Sequence, residues 1–190
     1  MRIISGDFRS RKIQTDKSSK EFRPSSDRTR ETLFSILTHR IELGGTTCLD
    51  LFSGTGSYGF EAISRGASVC DFVDISGSVL ALIRKSAEEL GCTKRVNSIK
   101  SDALEFLRNS EPACYDIIFA DPPYDYDKHI ELIGLVLKKN FKVFVLECSK
   151  QTLQELSGYY QNNKLKVIDK VIGRTCLKIF ITQQNPNVFY

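Results

Sequence analysis

An α/β fold, with a mainly parallel sheet of seven strands and helices on both faces, is predicted by three observations. Short apolar runs alternate with helix-length amphipathic segments between residues 47 and 182. A glycine-rich turn, Gly54-Thr55-Gly56-Ser57-Tyr58-Gly59, lies between the first such run and the first helix after it. Acidic residues stand at the ends of the first four runs: Asp50, Asp74, Asp102 and Asp121. In a doubly wound sheet those ends border one crevice.

The elements follow in order. Arg2-Ile3-Ile4-Ser5 and Lys12-Ile13-Gln14-Thr15 flank Gly6-Asp7 and pattern as a small hairpin. Residues 16–26 are polar, contain Pro24 and read as a loop. Asp27 offers an N-cap, and Leu33, Phe34, Ile36 and Leu37 form the apolar face of a helix ending near Arg40, before Gly44-Gly45. Strands over 47–51, 68–74, 96–100, 115–120 and 141–148 alternate with helices over 58–65, 78–90, 102–109, 128–138 and 151–156. Two β runs, 164–171 and 175–182, are joined at Ile172-Gly173-Arg174 as a hairpin, which puts an antiparallel strand at or near one edge. The chain thus divides into a basic N-terminal hairpin and arm (1–26), the α/β domain (27–182) and a polar tail (183–190).

Composition excludes several classes. At 190 residues, 41% hydrophobic and 26% charged, the chain suits one compact soluble domain plus a small appendage. No apolar run reaches membrane-spanning length, and Met1-Arg2-Ile3-Ile4-Ser5-Gly6 has no secretory pattern. The six cysteines form no CxxC pair and there are two histidines, which argues against zinc and fits a reducing cytoplasm. Charge is uneven. Residues 1–40 carry ten Lys/Arg against five Asp/Glu, a net +5, while the rest carry 17 against 18, a net −1. Such asymmetry points to a polyanionic partner or a solvated arm.

The glycine turn together with Asp74, 20 residues beyond Gly54, indicates a nucleoside-type cofactor, because a carboxylate there can accept both ribose hydroxyls. A dinucleotide would place its pyrophosphate on helix N–H groups. S-adenosylmethionine instead has an ammonium, a carboxylate and a sulfonium. Asp50 can face the ammonium, and loop N–H groups can take the carboxylate. Asp102 can accept from the adenine amine while the Ala103 N–H donates to the ring; Asp102 also suits a helix N-cap.

The most telling stretch is Asp121-Pro122-Pro123-Tyr124, after the apolar run Tyr115-Asp116-Ile117-Ile118-Phe119-Ala120. Two prolines stiffen the turn and remove N–H donors, leaving carbonyl oxygens. With the Asp carboxylate and the flat Tyr ring, such a turn suits a planar group bearing an NH2, as on a nucleobase.

Residues 47–124 resemble a class I S-adenosylmethionine-dependent methyltransferase, a Rossmann-like fold, with the amino-methylating DPPY motif. Three further stretches resemble the bacterial 16S rRNA guanine-N2 methyltransferase (RsmD-like) family. They are Arg2-Ile3-Ile4-Ser5-Gly6 with Arg9-Ser10-Arg11-Lys12; Phe22-Arg23-Pro24-Ser25-Ser26-Asp27-Arg28 with Arg30-Glu31 and Leu33-Phe34; and Leu49-Asp50-Leu51-Phe52-Ser53-Gly54-Thr55-Gly56 running to Gly59, Glu61-Ala62 and Ser64-Arg65-Gly66-Ala67. That family usually has Gly where this chain has Ser5 and Ser10. The resemblance covers about residues 1–182 and implies catalytic Asp121, Pro122, Pro123 and Tyr124. It implies a cofactor site of Asp50, Phe52, Ser53, Gly54, Gly56, Asp74, Ile75, Asp102 and Ala103. RNA contacts are expected from Arg9, Arg11, Lys12, Arg23, Arg28 and Arg30. The implied partner is 16S rRNA in an assembling or assembled small ribosomal subunit, met by a cytoplasmic monomer without metal. Three readings compete: adenine-N6 methylation of DNA or RNA, an NAD(P)-dependent oxidoreductase on the same glycine turn, and a non-catalytic rRNA-binding assembly factor.

Overall fold

The computed structural model describes residues 1–15, 27–110, 114–159 and 165–183. Its elements run α1 (Asp27–Thr38), β1 (Thr47–Leu51), α2 (Ser57–Ser64), β2 (Val69–Asp74), α3 (Gly77–Leu90), a 3-10 turn (Thr93–Arg95), β3 (Val96–Lys100), α4 (Ala103–Asn109), β4 (Cys114–Ala120), α5 (His129–Val136), β5 (Asn140–Ser149), α6 (Lys150–Glu155), β6 (Leu165–Ile172) and β7 (Thr175–Thr182). The sheet has seven strands in the order β3-β2-β1-β4-β5-β7-β6. β7 runs antiparallel to both neighbours, one position in from the edge; the other contacts are parallel. Strand order reverses between β1 and β4, which is where such sheets open a crevice.

The interior strands are largely buried on both faces, as their apolar sequence requires. Cys48, Cys70, Phe72, Ile117, Phe119, Val143 and Ile179 point to one face and pack against α1, α2 and α3. Leu49, Leu51, Val73, Ile118, Ala120, Phe144 and Phe180 point to the other, against α4, α5 and the end of α6. α3 starts at an N-cap, Ser76, whose hydroxyl accepts from Val79 N–H, and ends at left-handed Gly91. The edge strand β6 carries Lys166, Asp169 and Lys170 along its length, charges that discourage pairing with another chain.

All eight residues of α2 are buried, because the helix lies between the sheet and residues 1–15. The N-terminal hairpin is reduced to a single bridge, Arg2 with Lys12, but it is fastened firmly to the domain. The wholly buried Glu61 carboxylate accepts from Ile4 N–H at 2.8 Å and Ser5 N–H at 3.1 Å. Asp7 N–H donates to Ser64 O, Phe8 N–H to Ser64 Oγ, and Gln14 N–H to Ser86 Oγ. Ile3 and Ile13 belong to the main core. Gly6 lies so close that a Cβ there would meet the Ser64 carbonyl oxygen at 1.9 Å.

Ser10 and Ser5, where glycine was expected from the resemblance, behave differently. Ser10 is left-handed, with φ +66°, whereas Ser5 is not among the positive-φ residues. A left-handed L-residue costs about 1–2 kcal/mol. Ser10→Gly is therefore expected to raise unfolding stability by about 1 kcal/mol, and Ser5→Gly to lower it by a few tenths, both read by urea denaturation.

Candidate active site

Register decides which strand-end residues meet. Leu51 pairs with Val73 on one side and Ala120 on the other, and Asp74 pairs with Lys100. Phe52, Asp74 and Asp121 are therefore level at the mouth of the crevice, with Asp102 two residues beyond Lys100. Asp50 is not level with them. It pairs with Phe72 and Phe119 and sits one layer deeper, 2% exposed.

The glycine turn is braced by the acids around it. Gly54 N–H donates to Asp74 Oδ2 at 2.9 Å, and Asp74 Oδ1 accepts from Ser76 N–H at 2.8 Å. Each Asp74 oxygen has used one acceptor site, and a carboxylate oxygen has two, so both can still take a hydroxyl. Ser53 donates its N–H and its hydroxyl to Val73 O, and Gly56 N–H donates to Ser53 O. The N–H groups of Ser53, Gly54 and Gly56 thus serve the turn itself. Phe52 adopts φ +56°, an uncommon conformation for a bulky residue, and Ile75, just past β2, is exposed.

Asp50 Oδ2 accepts from Gly59 N–H at 2.9 Å, joining β1 to the first turn of α2. Burial pushes its carboxyl up to about 8, against the lowering effect of that bond, and the Asp74 charge adds to the rise. A cation brought against this carboxyl would favour its ionised form. Asp102 caps α4 through Oδ1 alone, taking Leu104 and Glu105 N–H; the Ala103 N–H is outside the cap. The donor set therefore fits S-adenosylmethionine, with Asp50 toward the ammonium, Asp74 toward the ribose, and Asp102 with Ala103 toward the adenine. If the cation draws Asp50 into its charged form, cofactor binding at pH 7 releases close to one proton. The release falls away as pH rises through 8, where Asp50 is already ionised. Calorimetry in buffers of different ionisation enthalpy measures it, and Asp50→Asn is expected to abolish it.

The four residues after β4 present a mixed face. Pro122 is buried, Asp121 is half-buried, and the Tyr124 ring is 94% exposed. Tyr126, which the sequence reading did not single out, packs edge-on against Phe52 at 5.1 Å and against His129 at 5.1 Å. It also lines a pocket of about 330 Å3. Its hydroxyl oxygen is buried with no hydrogen-bond partner among the described residues. Burial, and the charges of Asp102, Glu131 and Asp127, push that hydroxyl up to about 12. The only local signal was an aromatic two residues beyond Tyr124, which by itself does not separate a wall from a loop tip.

The basic residues divide. Arg9, Lys12 and Arg28 are exposed. Arg11 is exposed as well, but its guanidinium donates to the Leu90 and Glu89 carbonyls at the end of α3. Arg30 requires correction as an RNA contact. It is 1% exposed, paired with Asp27 at 2.6 Å and donating to Arg2 O at 2.9 Å, because the first turn of α1 faces the core and the N-terminal segment. Arg23 lies outside the described residues.

The family model described as conserved hypothetical protein 95 matches residues 1–181. Ribosomal RNA small subunit methyltransferase D of Buchnera aphidicola subsp. Acyrthosiphon pisum is 35% identical over 156 residues, 80% of each chain. The protein of that name from Haemophilus influenzae is 34% identical over 143 residues, 74% of this chain and 72% of the relative. The solved structure of yhhF from Escherichia coli superposes with a TM-score of 0.80 at 25% identity, covering 97% of this chain and 99% of that one. With a Rossmann-like sheet, strand-end acids level at its crevice and a family match over nearly its whole length, the chain is a methyltransferase and belongs to the conserved hypothetical protein 95 family, in which ribosomal RNA small subunit methyltransferase D is found.

Proposed function

We propose that this protein methylates the exocyclic N2 amine of a guanine in 16S rRNA of the small ribosomal subunit, using S-adenosylmethionine. The observation that carries this reading is the position of Asp121-Pro122-Pro123-Tyr124, one residue past the Leu51–Ala120 pair and level with Phe52 and Asp74. The names of the relatives support rRNA as the substrate.

Bound S-adenosylmethionine would supply an electrophilic methyl group. The chain's own residues do the rest by positioning. The exposed Tyr124 ring offers a stacking face to a base that has left its helix. The Asp121 carboxylate and the Pro122 carbonyl accept from the N2 amine. Guanine's amine is weakly nucleophilic because its lone pair is delocalised into the ring. Acceptors drawing on its hydrogens favour the pyramidal geometry of attack, and Asp121 is placed to take the departing proton. Arg9, Arg11, Lys12 and Arg28 supply positive charge for surrounding phosphates.

Methyl transfer from labelled S-adenosylmethionine to unmodified small subunits and to naked 16S rRNA, followed by nucleoside digestion, tests this reading. The expected product is N2-methylguanosine. N6-methyladenosine would keep the mechanism and overturn the base, and no transfer to either substrate would overturn both.

A further inference from the structure

The loop after β4 and the helix α6 line the open pocket of about 330 Å3, within the roughly 300–1,000 Å3 typical of small-molecule sites. Tyr124, an exposed member of the Asp121–Tyr124 turn, lines it together with Gln151 and Glu155 of α6. Asp125 and Asp127 also line it, so its charge is acidic. A phosphate would be repelled there, whereas an aromatic group presenting hydrogen-bond donors would be welcome.

Glu155 is braced. The Gln151 side-chain amide, one turn earlier, donates to its Oε1 at 2.9 Å. That bond engages one lone pair of one oxygen and orients the carboxylate. The half-buried ring of His129 stands in the same wall, edge-on to Tyr126. Burial lowers His129's proton affinity and so favours its neutral ring.

Guanine and adenine differ most on the edge that a carboxylate can read. Guanine presents N1–H and N2–H as two adjacent parallel donors, which match the two oxygens of one carboxylate. Adenine presents a lone pair at N1 and would be repelled. Building on the guanine-N2 reading above, we infer that Glu155, oriented by Gln151 and lining the same pocket as Tyr124, is the specificity-determining residue that reads guanine N1–H. One edge hydrogen of the amine then faces Glu155, and the other remains for the acceptors of Asp121-Pro122. Glu155 positions and selects the base and takes no part in proton transfer.

The test compares small subunits reconstituted with 16S rRNA carrying either guanine or 2-aminopurine at the nucleotide the wild-type protein methylates. Both bases have the C2 amine, but 2-aminopurine lacks N1–H. Wild-type protein is expected to prefer guanine by at least about tenfold in kcat/KM. Glu155→Ala is expected to lower kcat/KM for guanine by about 10- to 100-fold while changing that for 2-aminopurine by less than about twofold. Glu155→Gln, which keeps one acceptor, is expected to fall between. Unchanged calorimetric binding of S-adenosylmethionine shows that each variant is folded. An equal loss on both bases would mean that α6 is only structural and would overturn the assignment; so would no loss on either. A wild-type protein that forms no N2-methylguanosine would overturn the guanine reading itself, an outcome distinct from wild-type activity that Glu155→Ala leaves untouched.

Discussion

Asp121→Ala is expected to lower kcat by about 10²–10³-fold, the usual cost of deleting one group that stabilises developing charge in a transition state. Asp121 directly follows Ala120, which pairs with Leu51, so its place is set by a buried parallel ladder rather than by a mobile loop. Cofactor affinity should be nearly unchanged, because Asp50, Asp74 and Asp102 are held by their own bonds to Gly59, Gly54 and Ser76, and the α4 N-terminus. Asp121→Asn keeps one acceptor and should lose less. Single-turnover methylation with calorimetry on the same variants separates the steps. Full activity in a folded Asp121→Ala protein would remove Asp121 from the chemistry.

Gly59→Ala is expected to be among the most damaging small substitutions in the fold, lowering stability by about 3 kcal/mol or more. Gly59 lies where α2 crosses β2, and a Cβ there would meet Phe72 Cε1 at 2.3 Å, Phe72 Cζ at 2.5 Å and Cys70 Sγ at 2.8 Å. Both neighbours are fully buried, so neither ring nor thiol has anywhere to go. Any displacement of α2 also pulls Gly59 N–H from Asp50 and shifts the segment held by Glu61. In a domain of this size the melting temperature should fall by roughly 6–12 °C. Gly134→Ala, in α5 with nothing within 4 Å of the added methyl, should act in the opposite direction and stabilise by up to about 1 kcal/mol. Equal melting temperatures for the two variants would show that packing at Gly59 is looser than these distances imply.

Several expectations rested on one end of a single element and came out with small shifts. The helix expected over 78–90 is Gly77–Leu90, closed by left-handed Gly91, because Ser76 and Gly91 are local start and stop signals. The closing hairpin turns at Gly173, with φ +63°. Its antiparallel strand is one place in from the edge, a choice made by pairing across the sheet, where Val143 to Ser149 of β5 meet Ile181 to Thr175 of β7. The 3-10 turn Thr93–Arg95 was not foreseen; three residues carry no periodicity to read.

The candidate site was legible as a set of residue types and illegible as a set of distances. Asp50, Asp74, Asp102 and Asp121 looked alike in the sequence, each ending an apolar run. Register separates them: Asp50 is buried beneath the turn, Asp74 and Asp121 stand level, and Asp102 caps a helix. Arg28 and Arg30 also looked alike, yet α1 turns Arg28 outward and buries Arg30 against Asp27 and Arg2 O.

Local sequence set the alternation of strands and helices, the glycine turn and the Asp-Pro-Pro-Tyr turn after β4. Those depend on side-chain period and on the backbone limits of Gly and Pro, which act over a few residues. Tertiary structure alone decided that residues 1–15 are fastened to α2 by Glu61 and Ser64, more than 50 positions away. It alone decided that Tyr126 reaches Phe52, and that Glu155 on α6 faces the same pocket as Tyr124. Contacts between distant parts of a chain follow from which faces the sheet and helices bury together, and no short window of residues contains that information.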